Sequence, residues 1–126
     1  GLVVDALQGR PGIYSARYAG EDSSQDEKIR RLLEELKNVP KEKRTARFHC
    51  VLVLMKNEND PAPIISQGIW EGYIAEEPKG NNGFGFDPVF FVPSHNCVAA
   101  ELSSEIKNRS SHRGQAMKHI VEQFKY

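Results

Sequence analysis

The sequence predicts an α/β fold, and two observations carry this prediction. Apolar residues recur at the i, i+3, i+4 and i+7 spacing of an amphipathic helix between residues 24 and 37. Two downstream segments, residues 48–55 and 64–75, have the apolar, β-branched and aromatic composition of strands. A chain of 126 residues with these elements has the size of one compact domain, and we expect residues 1–126 to form a single one.

The composition narrows the class of partner. Lys and Arg number 17, and Asp and Glu also number 17, so the chain has no global field that would attract a nucleic acid or an anionic membrane. We therefore expect a small molecule or another protein as the partner. Cys50 and Cys97 lack the spacing of a zinc site, and no apolar run approaches the roughly 20 residues of a membrane helix. These features predict a cytoplasmic protein with reduced thiols.

The N-terminal segment predicts a strand followed by a turn. Residues 2–7, LVVDAL, have the composition of a short strand or extended segment, and the turn-forming residues 8–12 end it. Because domain termini usually lie exposed, this apolar start predicts that residues upstream of Gly1 are missing. Residues 13–21 carry a weaker pattern, in which aromatic and basic side chains have a spacing that fits one helical turn.

The segment that begins at Ser24 carries the clearest helical signal. Ser24 and Glu27 have the spacing of a capping box, in which the serine oxygen accepts a hydrogen bond from the backbone three residues later. The predicted buried face consists of Ile29, Leu32, Leu33 and Leu36. The charged residues between them predict a solvated face, which consists of Lys28, Arg30, Arg31, Glu34, Glu35 and Lys37.

The next two elements predict an antiparallel hairpin in the middle of the sheet. Residues 48–55, FHCVLVLM, are continuously apolar, which is typical of a strand buried on both faces. A polar connection with two prolines, residues 56–63, separates them from the strand over residues 64–75. Gly68 and Gly72 flank Trp70 in that second strand, and they indicate a bulge or a close backbone approach. Trp70 is more plausible as a core anchor than as a ligand contact.

The C-terminal third predicts one more strand and two helical pieces. Residues 89–92 are a short apolar run, and residues 99–108 form a polar, potentially helical piece. The last helix is predicted to start at a cap formed by Ser110 or Ser111. Its apolar face is predicted to consist of Met117, Ile120, Val121 and Phe124.

Residues 80–91, GNNGFGFDPVFF, are the first candidate for chemistry. Their glycines allow a ligand to approach the main chain closely, and Phe84 and Phe86 are costly to expose unless a ligand stacks on them or the core buries them. Asp87 adds a carboxylate immediately before Pro88. The alternative is a tight turn that leads into a buried strand.

Residues 107–114, KNRSSHRG, are the second candidate. Lys107, Arg109, His112 and Arg113 gather at the start of a helix, where the macrodipole disfavours cations. A pattern that violates a local rule indicates function, although a basic surface turn is the alternative. An aromatic ring, a carboxylate and several donors predict a purine pocket when the two segments lie together.

Four segments in order resemble one family of enzymes. They are GLVVDALQGRPGIYSARYAGE, ARFHCVLVL, EPKGNNGFGFDPVFF and AAELSSEIKNRSSHRGQA. In these segments the chain is similar to the inosine/xanthosine triphosphate pyrophosphatases, which hydrolyse deaminated purine nucleoside triphosphates. The resemblance implies an elongated mixed sheet flanked by helices, with a substrate cleft between two lobes.

The resemblance also implies which residues bind the substrate. Its base-binding residues fall on Phe84, Gly85, Phe86, Asp87, Lys107, His112 and Arg113. The family pattern implies that Phe84 stacks on the base and that Asp87 reads its edge. Lys107, His112 and Arg113 are then expected to present donors to the 6-keto side of the purine.

The chain departs from the family pattern at its start. The resemblance implies an N-terminal strand, a phosphate-binding TGNxxK-type loop and an Asp-Asp-Ser-Gly turn, and Gly1 matches the glycine of that turn. The Mg²⁺ ligands and the catalytic residues are therefore expected upstream of Gly1, with none within residues 1–126. Asp5 is interpreted as structural rather than as a substitute base.

The resulting expectation is an enzyme that hydrolyses ITP, dITP, XTP or dXTP to the monophosphate and pyrophosphate with Mg²⁺. The chain itself is expected to carry the base-recognition half and to be inactive alone. The first alternative is a non-catalytic purine-binding or dimerisation module, and a more remote one is a related enzyme for pyrimidine or methylated nucleotides. The resemblance also implies a homodimer that forms through the PGIYSAR segment, residues 11–17.

Overall fold

A computed structural model describes residues 1–12, 18–20, 24–55, 57–80 and 85–124. A sheet of six strands with the order β2-β1-β3-β4-β5-β6 packs with three helices, so the predicted α/β fold is confirmed. All five strand pairs are antiparallel, and the parallel pairing of a mixed sheet is not found among the described strands. The strands are β1 Leu2–Val4, β2 Pro11–Gly12, β3 Thr45–Leu54, β4 Ile64–Ile74, β5 Phe90–Val92 and β6 Cys97–Val98. The helices are α1 Gln25–Glu35, α2 Ser104–Ser110 and α3 His112–Phe124.

The hairpin of β3 and β4 is the centre of the sheet, as predicted. Ten residue pairs join the two strands without a bulge, from Thr45 opposite Tyr73 to Leu54 opposite Ile64. Side chains on β4 alternate, because Ser66 and each second residue after it up to Ile74 are buried while most of those between them are exposed. Alternation of this kind is typical of a strand with one covered and one open face.

The prediction that the 48–55 strand is buried on both faces is wrong. Val51 and Val53 are 58% and 55% exposed, and their cross-strand neighbours Gln67 and Ile65 lie on the same open face. The other face is covered by α3, whose Ala116 carbonyl accepts a hydrogen bond of 2.7 Å from the Ser66 hydroxyl. An apolar run predicts a strand but does not show how many of its faces are covered.

Helix α1 forms as predicted and ends two residues earlier than expected, at Glu35. The Ser24 hydroxyl accepts a hydrogen bond of 3.2 Å from the Glu27 backbone N–H, which is the predicted cap. Three apolar residues of the predicted face are buried in the main core, and Leu33 is half-buried; the buried ones are Ile29, Leu32 and Leu36.

Glu35 is not part of a solvated face, because it holds the N-terminal segment against α1. Its carboxylate accepts hydrogen bonds from Arg10 at 3.1 Å, from Arg31 at 3.2 Å and from the Tyr18 hydroxyl at 2.5 Å. Burial and the neighbouring Glu35 carboxylate raise the pKa of Tyr18, so the phenol stays protonated and can donate. The helical pattern predicted for residues 13–21 lies largely outside the described residues.

The remaining N-terminal residues differ slightly from the prediction. The strand ends at Val4, and a 3₁₀ turn spans Asp5–Leu7. Asp5 accepts a hydrogen bond of 2.6 Å from the Thr45 hydroxyl and forms an ion pair of 3.1 Å with Arg47. These contacts join the turn after β1 to β3 and favour the structural role of Asp5.

Helix α3 packs on the sheet with residues other than those of its predicted apolar face. The Ser111 hydroxyl accepts a hydrogen bond of 3.0 Å from the Gly114 N–H, so Ser111 is the cap of α3. Met117 and Val121 are 54% and 51% exposed, however, whereas Ala116 is fully buried. Small residues make the contact with the sheet because the two backbones lie too close for larger side chains. Within the described residues no helix has the length and apolar composition that spanning a membrane requires.

Candidate functional site

A cavity of about 800 Å³ lies where the 85–87 turn, β3, β4 and the two C-terminal helices meet. Six of the seven residues predicted to bind the base line this cavity, and they are Gly85, Phe86, Asp87, Lys107, His112 and Arg113. Phe84 lies outside the described residues, so its stacking role stays a prediction. Concave sites of this volume are typical for small ligands.

The turn before β5 positions a carboxylate at the cavity wall. Gly85 has a φ of +65°, a left-handed conformation that side chains with a Cβ disfavour. Phe86 is 4% exposed and meets the Tyr18 ring edge-on, with 6.2 Å between the ring centroids. Most of the Phe86 ring therefore belongs to the core and fixes the turn. Asp87 then starts the 3₁₀ turn Asp87–Val89, with the φ of Pro88 restricted by its ring.

Asp87 and Lys107 form an ion pair inside the cavity. The Lys107 ammonium on α2 donates a hydrogen bond to Asp87 Oδ2. The Lys107 side chain is 18% exposed and the Asp87 side chain is 9% exposed, so the pair is largely buried. Removing either partner from a buried pair costs much more than removing one from a surface pair. The ion pair therefore links the two predicted segments, which are distant in sequence.

His112 is held flat against an aromatic ring at the start of α3. Its imidazole stacks on Phe48, with 4.9 Å between the centroids and 14° between the planes. Its Nδ1 is buried without a hydrogen-bond partner among the described residues. Burial, reinforced by the N-terminal amine and the Arg113 guanidinium, lowers the pKa of His112 to about 4. The ring is therefore neutral at pH 7, with one donor and one acceptor nitrogen.

The backbone of His112 sits directly on β4. A Cβ placed on Gly68 would lie only 1.8 Å from the His112 carbonyl oxygen, so only glycine permits this contact. The predicted close backbone approach at Gly68 is confirmed, and the alternative of a bulge is excluded by the continuous pairing.

The sequence did not identify every residue that lines the cavity. Phe48 and Trp70 of the hairpin also line it, and Trp70 is 6% exposed, which confirms its predicted core role. Lys28 of α1 lines the cavity as well, so its predicted place on the solvated face is wrong. One signal could have identified Lys28: no acidic residue stands three or four positions from it, as an exposed helical ion pair requires.

The described residues do not form a metal site. They contain no group of three His, Cys, Asp or Glu side chains arranged to hold an ion. Asp87 is the one carboxylate among the described residues that line the cavity, and the Lys107 ammonium already occupies it. Mg²⁺ prefers several oxygen ligands, so these side chains do not fit it.

Comparison with known proteins gives consistent matches. The model of the Ham1 family matches residues 1–123. A dITP/XTP pyrophosphatase of Vibrio parahaemolyticus is 58% identical over 123 residues, which are 98% of this chain and 62% of that protein. The dITP/XTP pyrophosphatase of Escherichia coli K12 is 53% identical over 122 residues, which are 97% of this chain and 62% of that protein. A HAM1 protein structure from Coxiella burnetii superposes with a TM-score of 0.94 at 51% identity, and the match covers 99% of this chain and 64% of that one.

Proposed function

The chain belongs to the Ham1 family, and from this membership we propose that its parent protein hydrolyses non-standard purine nucleoside triphosphates. The substrates are ITP, dITP, XTP and dXTP, and the products are the monophosphate and pyrophosphate. The relatives named dITP/XTP pyrophosphatase support this reaction class. The chain spans about 62% of the length of these relatives, so the proposal concerns the whole protein, and the part that we assign to residues 1–126 is recognition of the base.

The ion pair of Asp87 and Lys107 is the observation that carries this assignment. A 6-keto purine presents an acceptor oxygen beside an N–H donor, and adenine presents an amino donor beside an acceptor nitrogen. A carboxylate only accepts hydrogen bonds and an ammonium only donates them. Lys107 therefore matches the 6-keto oxygen and Asp87 the ring N–H, whereas adenine would leave both groups mismatched.

His112 and Arg113 complete the proposed contacts. Because His112 is neutral at pH 7, it offers one N–H donor without adding a further charge to the cavity. Arg113 is exposed at the cavity wall, and its guanidinium supplies several N–H donors and no acceptor. Both groups favour a ligand whose edge carries carbonyl oxygens.

Calorimetric titration of the 126-residue chain with ITP and ATP tests the assignment. We expect ITP to bind and ATP to bind at least roughly 10-fold more weakly, because mismatched buried polar groups cost about 1–3 kcal/mol. Asp87→Asn and Phe84→Ala should each weaken ITP binding by roughly 5-fold or more. Arg109→Met is the matched control, since Arg109 is exposed and does not line the cavity. Equal affinity for ITP and ATP would contradict the proposal.

Catalysis requires groups that the described residues do not supply. We propose that Mg²⁺ is the cofactor of the whole protein and that its ligands lie outside the described residues, since one lysine-paired carboxylate cannot hold it. We also propose that the chain alone binds substrate with little turnover. Pyrophosphate release from ITP by the chain at the rate of a complete relative would overturn the proposal of low turnover. A metal titration of the whole protein tests the Mg²⁺ proposal separately.

The alternative function is a purine-binding or dimerisation module without catalysis. It predicts ITP binding by the chain and no turnover even by the whole protein, so pyrophosphate release by the whole protein decides between the two. The homodimer is also part of the proposal. Its expected segment, residues 11–17, is described only at Pro11 and Gly12, and a monomer in sedimentation velocity would count against it.

A further inference from the structure

Helix α1 borders the cavity through Lys28, although no residue of α1 belongs to the predicted site. The Gln25 side-chain oxygen accepts a hydrogen bond of 3.1 Å from the Gly85 N–H, which fastens the turn that carries Asp87 to the first residue of α1. Lys28 is three residues further along and therefore on the same side of the helix. It is half-buried and lines the cavity together with Gly85 and Asp87.

The charges around the cavity are unbalanced. The described side chains that line it include three cations, Lys28, Lys107 and Arg113, against the single carboxylate of Asp87. Lys107 forms an ion pair with that carboxylate, whereas Lys28 takes part in none of the ion pairs formed within the described ranges. A partly desolvated cavity with two uncompensated cations favours an anionic ligand.

The position of Lys28 on α1 costs stability in the free protein. Lys28 ends the first helical turn, where the macrodipole disfavours a cation, and Arg31 at i+3 repels it. Arg31 itself is compensated, because it pairs with Glu35. A half-buried ammonium that has no ion-pair partner among the described residues and no favourable dipole gains most from a ligand anion.

We propose that Lys28 is a further substrate-binding residue, and that its ammonium contacts a phosphate group of the nucleotide whose base is held by Asp87 and Lys107. The inference rests on the proposed function, because it takes the ligand of the cavity to be a nucleotide. It assigns to α1 a part of the site that is separate from base recognition.

The test compares neutral and anionic ligands on the same chain. Calorimetric affinities for inosine, IMP and ITP are measured for the unchanged chain and for Lys28→Met, Lys28→Gln and Lys28→Arg. Arg30→Met is the matched control, since it removes the same charge from the same helix on an exposed side away from the cavity. Thermal unfolding of each variant identifies any that is misfolded, and the Gln variant replaces the Met variant in that case.

We expect Lys28→Met to weaken ITP binding by roughly 3- to 10-fold, the usual effect of one charge-assisted contact, and to leave inosine binding within about 2-fold. Lys28→Arg should retain most of the ITP affinity, and Arg30→Met should change neither ligand. A loss that already occurs with IMP places the contact at the α-phosphate, and a loss only with ITP places it at an outer phosphate.

Two results overturn the inference and leave the proposed function intact: unchanged ITP affinity in Lys28→Met, or an equal loss of inosine and ITP affinity. The second result would mean that Lys28 shapes the cavity without contacting a phosphate. If the unchanged chain binds neither inosine nor ITP, the assignment of base recognition to residues 1–126 fails, and the inference fails with it.

Discussion

Replacing Lys107 by methionine isolates the contribution of the ion pair in the cavity. The change keeps most of the side-chain volume and removes the ammonium from Asp87, whose side chain is 9% exposed. Breaking a buried ion pair costs about 3–5 kcal/mol, and an exposed pair contributes about 0–1 kcal/mol. Because Lys107 is 18% exposed, we expect Lys107→Met to lower the free energy of unfolding by about 2–4 kcal/mol.

Urea unfolding at pH 7 measures this loss. With a typical slope of about 2 kcal/mol per molar urea, the midpoint should fall by about 1–2 M. Arg109→Met is the control, because it removes an exposed cation from the same helix and should shift the midpoint by less than about 0.3 M. The double variant Lys107→Met with Asp87→Asn should recover part of the loss, since the amide no longer buries a charge.

The reasoning fails if Lys107→Met and Arg109→Met have the same midpoint. That result would mean that water screens the pair as it screens an exposed one. The double variant then distinguishes the cause: if it is also unchanged, the pair contributes nothing, and if it is strongly destabilised, Asp87 has a structural role that does not depend on Lys107.

Three further outcomes are expected. Gly68→Ala should destabilise the chain by at least about 2 kcal/mol in urea unfolding, because the new Cβ would meet the His112 carbonyl oxygen at 1.8 Å; a stable variant would show that α3 moves away from β4 at little cost. The free energy of unfolding should rise with pH between about pH 4 and 6.5, because in this window the unfolded chain binds a proton at His112 and the folded chain does not. A His112→Gln variant should show a smaller slope of unfolding free energy against pH. An identical slope would contradict the lowered pKa of His112. Ser24→Ala should cost about 1 kcal/mol by removing the cap of α1, whereas Ser94→Ala in an exposed turn should cost less than about 0.5 kcal/mol in the same thermal unfolding experiment.

The sequence predicted elements whose signals are local. Helix α1 was predicted because its cap at Ser24 and its apolar face both lie within one segment. The β3–β4 hairpin was predicted because two strand patterns follow one another across a proline-containing loop. What covers each face could not be predicted, since the exposure of Val51 and of Met117 depends on which elements pack there and not on their own segments.

The lining of the cavity was predicted to a similar degree, and the same physical limit applies to it. The segment around Asp87 was found because its residues are unusual for a turn. The segment around His112 was found because basic residues are unusual at a helix start, but the predicted position is wrong for Lys107 and Arg109, which lie in the last turn of α2, where the macrodipole favours cations. Lys28 was missed because a lysine among the charged residues of an amphipathic helix fits a solvated face, and the lack of an acidic residue three or four positions away is a weak signal against it. The hydrogen bond between Gln25 and Gly85 and the place of Lys28 in the cavity lining show that this side of α1 faces the cavity.

The arrangement of His112 indicates that the hairpin, more than the glycine-rich turn, sets the geometry of the proposed base site. The His112 backbone rests on Gly68 of β4, and its ring stacks on Phe48 of β3. Phe48 and Trp70 face each other across the two strands, so the imidazole is placed by the sheet before any ligand arrives. Preorganised donors do not have to be ordered when the ligand binds. The ion pair with Lys107 then holds the turn residue Asp87 beside this fixed surface, so two segments that are distant in sequence border one cavity.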